Sequence, residues 1–144
     1  MTKYSIILLV EDNDDDAELT RLAFSRARVS NPIVRVRDGV EALDWLLRRG
    51  SYTDRDDLEP AIVLLDLNLP KLSGIEVLKE IRAHEQTRRL PVVVLTSSDD
   101  EKDRLSAYDN FANSYIRKPV DHEQFANAAR ELGLYWLVLN VPPQ

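Results

Sequence analysis

The pattern that most constrains this chain is an alternation, five times over, of short Val-, Ile- and Leu-rich segments with stretches whose apolar residues recur at helical spacing. The short segments are residues 5–10, 33–37, 61–66, 91–96 and 114–117. Three of them are continuous apolar runs, as expected of strands buried on both faces of a parallel sheet. Between them lie Ala17, Leu19, Ala23, Phe24 and Ala27; then Val40, Leu43, Leu46 and Leu47; then Ile75, Val77, Leu78 and Ile81. A fourth helix is predicted over residues 101–111, with Leu105, Tyr108 and Phe111 as its stripe. A fifth opens at Asp121, with Gln124 three residues on, the spacing of a capping box. Repeated strand–helix alternation demands right-handed crossovers and places helices on both faces of a parallel sheet. The expected fold is therefore α/β, a doubly wound five-stranded parallel sheet. Ligands of such folds sit at the carboxyl ends of the strands, where strand order reverses.

The length of 144 residues fits one domain, since ordinary domains run to about 100–150 residues, and leaves little for a separate effector module. Residues 48–60 are polar and contain Gly50 and Pro60, so they read as a surface loop rather than a boundary. With no cysteine and only His84 and His122 as imidazoles, a bound metal is expected to have oxygen ligands. No basic-then-apolar leader is visible, and no apolar run approaches the ~20 residues that span a bilayer, so a cytoplasmic location is expected, with no membrane partner. The net charge of −6, from 19 basic and 25 acidic residues, argues against direct nucleic-acid binding. Arg21, Arg26, Arg28, Arg35 and Arg37 read as solvated surface. Neither G-x-x-x-x-G-K-[ST] nor G-x-G-x-x-G occurs, which leaves nucleotide binding without support.

Carboxylates crowd the ends of two strands. The first runs into Glu11 and Asp12, and the third ends at Asp66 and continues Leu67-Asn68. If both strands are central and parallel, Glu11, Asp12 and Asp66 converge on one rim, where like charges about 4 Å apart repel by about 4 kcal/mol per pair at an effective dielectric of about 20. A cation must sit among them, and hard oxygen ligands suit Mg²⁺ or Mn²⁺. Asp14 to Asp16 read more simply as caps and dipole partners of the first helix. Lys118 follows the fifth strand, precedes Pro119, and so lies at the same rim. The fourth strand ends in Thr96-Ser97-Ser98, which offers hydroxyls and backbone N–H groups there. A cation, the Lys118 ammonium and the Thr96 hydroxyl together suffice to cover the three equatorial oxygens of a phosphoryl group.

Glu11-Asp12, Asp66, Thr96-Ser97, Tyr115 and Lys118-Pro119, in that order on a fivefold strand–helix chain, resemble the CheY-like receiver domains of two-component response regulators, which have the (βα)5 flavodoxin-like fold. The resemblance covers residues 3–134 of a single domain spanning 1–144, with 135–144 as an apolar C-terminal extension. It implies that Asp66 is the phosphoacceptor, and that Asp12, Asp66 and the backbone carbonyl of Asn68 ligate Mg²⁺ directly, with Glu11 joining through water. It implies further that Lys118, Thr96, Ser97 and Asn68 hold the phosphoryl group. Thr96 and Tyr115 would switch on phosphorylation, and Asn68 and Ser98 would tune the lifetime. Tyr115 also reads as a strand aromatic packed on the sheet. The loop Arg49-Gly50-Ser51-Tyr52 and the ending Tyr135-Trp136-Leu137-Val138-Leu139-Asn140 are similar to those of small response regulators paired with cyanobacterial and bacterial phytochromes. A sensor histidine kinase of phytochrome type is then the expected partner.

Six successive apolar residues, 134–139, exceed what one buried helix face can cover, so Tyr135, Trp136, Leu137 and Leu139 are expected to form a homodimer contact. Phosphatases with a nucleophilic aspartate place an acid two residues after it, and here that position is Asn68. An interaction module that is never phosphorylated would not need the complete acceptor set. The reading is therefore a phosphoacceptor switch that catalyses only its own phosphorylation and dephosphorylation.

Overall fold

The computed structural model describes residues 6–27, 29, 31–55, 59–97, 107, 109 and 112–132. Five strands, β1 (Ile6–Val10), β2 (Ile33–Val36), β3 (Pro60–Asp66), β4 (Val92–Thr96) and β5 (Ser114–Arg117), form one parallel sheet in the order β2-β1-β3-β4-β5. Strand order reverses between β1 and β3, and this is the switch point at which a doubly wound sheet opens a crevice. Helices α1 (Asp14–Arg26), α2 (Gly39–Leu47), α3 (Gly74–Ala83) and the last helix (His122–Glu131) cross between or beyond the strands. Of the helix predicted over 101–111, Ala107 and Asp109 are described, and both are helical. Ser98, Tyr108, Phe111 and the whole 134–139 run, including the expected dimer residues, lie outside the described residues.

The sheet is apolar on both faces because its strands alternate between two cores. Leu8, Val10, Val63, Leu65, Val92 and Val94 face α2 and α3, where they meet Leu43, Leu46, Val77, Leu78 and Ile81. Ile7, Leu9, Ile62, Leu64, Val93 and Leu95 face α1 and the last helix. There Phe24 and Phe125 close the gap with ring centroids 4.2 Å apart. Such double burial is why β1, β3 and β4 read as unbroken apolar runs. None of the described helices is long and apolar enough to cross a membrane.

The described part of the polar stretch 48–60 is exposed or half-buried up to Glu59, as expected of a surface loop, but it is tied to α2 by specific contacts. Arg48 ends α2 in the left-handed region at φ 54°, and Gly50 at φ 60° opens a 3₁₀ turn, Gly50–Tyr52. The Arg55 side chain, only 4% exposed, then stacks 3.7 Å from the Trp45 ring centroid and donates from Nε to the Trp45 carbonyl at 2.9 Å. Tyr52 donates to Glu41 at 2.5 Å, so the loop is strapped onto α2. One side chain of this polar loop is thus packed, because the Arg55 stem supplies apolar area while its head binds backbone.

Two local devices fix the chain beyond β3. Ser73 and Glu76 form a full capping box on α3, a signal not anticipated from the sequence. At the last helix, Asp121 accepts from the Gln124 N–H at 2.8 Å, one half of the predicted box. Gly74 starts α3 directly against the end of β3 and donates to the Leu67 carbonyl at 2.9 Å. A Cβ at Gly74 would overlap the carbonyl oxygen of Asp66 and stand 2.6 Å from Leu67 Cα. Because those atoms are backbone, they cannot rotate away. Gly74→Ala is expected to destabilise the fold by roughly 1–3 kcal/mol in urea unfolding, the usual cost of overpacking.

Candidate functional site

Register decides which side chains meet. Val10 pairs with Leu65, Asp66 with Leu95, and Thr96 with Arg117. Glu11, Asp66, Thr96 and Lys118 therefore emerge side by side at the carboxyl rim. Glu11, Asp66 and Thr96 are buried, whereas Asp12, Asn68 and Ser97 are exposed at the mouth.

The Lys118 ammonium is the centre of the site. It donates to Glu11 Oε1 at 2.9 Å, Asp66 Oδ2 at 3.1 Å and Asp16 Oδ2 at 2.8 Å. Burial alone would lower its pKa, but the hydrogen bonds to Asp16 and Glu11 and the charge of Asp66 hold it above the usual lysine value. Lys118 and Pro119 are joined by a cis peptide bond, and the Lys118 N–H donates to the Thr96 carbonyl at 2.8 Å. The other oxygen of Asp66 accepts from the Asn68 N–H at 3.1 Å.

Glu11, Asp12 and Asp66 each present a carboxylate oxygen, and these atoms lie within 4.8 Å of one another. Burial, reinforced by the neighbouring Asp66 and partly offset by Lys118, pushes the Glu11 carboxyl up to about 7. One ammonium faces four carboxylates, counting Asp12 and Asp16. An all-oxygen, net-negative cluster suits a hard divalent cation, whose charge would offset the repulsion.

Asp16 is the residue that the sequence reading missed. Asn13, not an aspartate, caps α1, and its side chain accepts from the Asp16 N–H at 2.9 Å. That makes Asp16 the third residue of the helix, and helical side chains lean toward the N-terminus, here toward the rim. Asp14 is likewise more than a dipole partner. Hydrogen bonds from Arg35, then Arg37, hold its carboxyl below the usual range. Arg35 also donates from Nε to the Glu11 carbonyl at 2.9 Å, so two of the arginines read as solvated surface brace the site. Tyr115 pairs with Val94, two positions short of the rim, and is partly buried against the α2–α3 core, as a strand aromatic would be.

This site, at the switch point of a β2-β1-β3-β4-β5 sheet, defines a class. The profile of the response regulator receiver domain family matches residues 7–130, and the chain belongs to that family. Among curated proteins it is 45% identical over 139 residues to the "Probable methanogenesis regulatory protein FilR2" of Methanothrix harundinacea, covering 96% of this chain and 87% of the relative. It is 35% identical over 132 residues to response regulator Rcp1 of Synechocystis sp., covering 92% and 88%. Among solved structures, the bacteriophytochrome response regulator RtBRR superposes with TM-score 0.86 at 48% identity, over 97% of this chain and 84% of that one. The Mn²⁺-bound form of Rcp1 superposes with TM-score 0.76 at 34% identity, over 97% and 99%. The chain is thus a receiver-type response regulator, a signalling switch related to phytochrome response regulators.

The raised Glu11 carboxyl would give divalent-cation binding at this cluster a pH dependence. Below about 7 Glu11 takes up a proton and the cluster loses a negative charge; above it the charge is restored. Calorimetric titration with Mg²⁺ is expected to show affinity rising between pH 6 and pH 8 in the wild type, and a flatter dependence in Glu11→Gln.

Proposed function

We propose that the chain accepts a phosphoryl group on Asp66 from a phosphohistidine of a sensor histidine kinase, with Mg²⁺ as cofactor, and passes the signal on through protein contacts. The observation that carries this reading is the buried Asp66 carboxylate, 3.1 Å from the Lys118 ammonium inside the Glu11–Asp12–Asp66 cluster. An Asp66 oxygen attacks phosphorus, the phosphorus–nitrogen bond breaks, and the imidazole leaves with the electron pair. Lys118 donates to a phosphoryl oxygen, and the Thr96 hydroxyl, Ser97 and Asn68 line the same rim. Asp12, Asp66 and the Asn68 carbonyl would hold Mg²⁺, with Glu11 acting through water. Bound there, the cation would supply charge neutralisation of the transferring group, and Mn²⁺ or another divalent cation is a substitute for Mg²⁺. Thr96 and Tyr115 are assigned the switch, and Asn68 and Ser98 the lifetime of the acyl phosphate.

Similarity to bacteriophytochrome response regulators supports a phytochrome-type kinase as the donor, and the cytoplasm beside such a kinase is the location that this reading calls for. The apolar run at Tyr135, Trp136, Leu137 and Leu139 supports homodimerisation as an output, and the chain turns over no substrate but its own phosphoryl group.

Incubation with acetyl phosphate and Mg²⁺, followed by intact-mass measurement, is expected to show the gain of one phosphoryl, absent in Asp66→Asn and absent when the cation is chelated. Lys118→Ala should slow the gain by about 10²-fold, as for loss of one charge-stabilising donor. No gain in the wild type defeats the switch. Light scattering at tens of micromolar is expected to report a dimer, and a monomer mass with and without phosphorylation removes that output.

A further inference from the structure

We propose that Asp16 is a positioning residue for the Lys118 ammonium, holding it in the site while its other two acceptors change roles; this rests on Asp66 being the phosphoacceptor. Lys118 has three N–H donors and meets three carboxylates. Asp66 becomes an acyl phosphate during the reaction and ceases to be the same acceptor. Glu11 belongs to the cluster that faces a cation. Asp16 alone of the three has no such second task, and its contact, at 2.8 Å, is the shortest.

Three features make Asp16 a fixed point rather than a casual surface acid. Its own N–H is held by the Asn13 side chain at 2.9 Å. The turn that carries it is anchored at Asp14 by Arg35, and Arg35 also binds the Glu11 carbonyl. Lys118 is only 9% exposed, so the pair is screened far less than an open surface ion pair. Asp16 keeps 36% exposure, and Asn13 supplies the helix cap independently of its side chain. Replacing it therefore disturbs neither core nor cap.

Without Asp16 the ammonium has a free donor and a wider range of positions, so fewer encounters find it aimed at the phosphoryl oxygens. At saturating Mg²⁺ and acetyl phosphate, Asp16→Ala should lower the rate of phosphoryl gain by roughly five- to tenfold, the net scale of one ordinary hydrogen bond. Asp16→Asn, which keeps an acceptor oxygen, should recover part of that loss. The half-saturating Mg²⁺ concentration should move by less than about twofold, because Asp16 stands outside the metal cluster. In a Lys118→Met background, Asp16→Ala should add no further loss, which identifies the lysine as the route of action. An unchanged rate in Asp16→Ala overturns the inference. So does a rise in half-saturating Mg²⁺ that accounts for the loss, or a further loss in the Lys118→Met background. If the wild type itself gains no phosphoryl, the reading of Asp66 falls, and this inference with it.

Discussion

Every other feature of the site depends on one electrostatic constraint: a lysine ammonium held among carboxylates that the sheet has taken out of water. Glu11, just after β1, and Asp66, the last residue of β3, are buried because they stand at the ends of strands buried on both faces, so their position is a by-product of the core rather than of the chemistry. An ionised carboxylate so placed is costly unless paired. Lys118 supplies that pairing from β5, the far edge of the sheet, across the rim. Four carboxylates against one ammonium leave the balance negative. Burial first, and then the neighbouring Asp66, raise the Glu11 carboxyl, and a divalent cation would relieve the negative balance of the cluster.

Backbone constraints keep the constellation in register. Gly74 lets α3 start in contact with the Asp66 carbonyl, and the Asn68 N–H takes one Asp66 oxygen, so the carboxylate is fixed from below and beside. On the other side of the switch point, Arg35 binds the Glu11 carbonyl and, together with Arg37, binds Asp14. The charged atoms at the centre thus rest on a frame of hydrogen bonds made by groups outside the carboxylate–lysine cluster itself.

Much of this was legible in the sequence, for a definite reason. Burial on two faces forces unbroken apolar strands, and helical crossovers force the intervening periodicity, so β1, β3 and β4 and the rim residues Glu11, Asp12, Asp66, Thr96 and Lys118 could be placed together by order alone. Asp16 could not, because its contact with Lys118 depends on which residue caps α1. Three aspartates in a row after a strand look like capping residues, and only the structure shows that Asn13 does the capping. Arg55 was hidden for a different reason: a polar segment is normally solvated, and nothing local announces that Trp45 will offer its ring. Tyr115 carried two readings, a strand aromatic and a switch residue, and it is partly buried against the α2–α3 core.

The choice of lysine at the centre follows from the geometry of its neighbours. Glu11, Asp16 and Asp66 approach Nζ from three elements, the end of β1, the first turn of α1 and the end of β3. A compact ammonium with three rotatable donors can answer all three at once, whereas a planar guanidinium directs its donors in one fork. Where the acceptors do suit a fork, the chain uses arginine: Arg35 sends Nε to the Glu11 carbonyl and Nη1 to Asp14. A point charge with three independent acceptors can exchange one of them and keep the other two. Under the proposed function, that exchange is what the site must accommodate when the Asp66 carboxylate becomes an acyl phosphate.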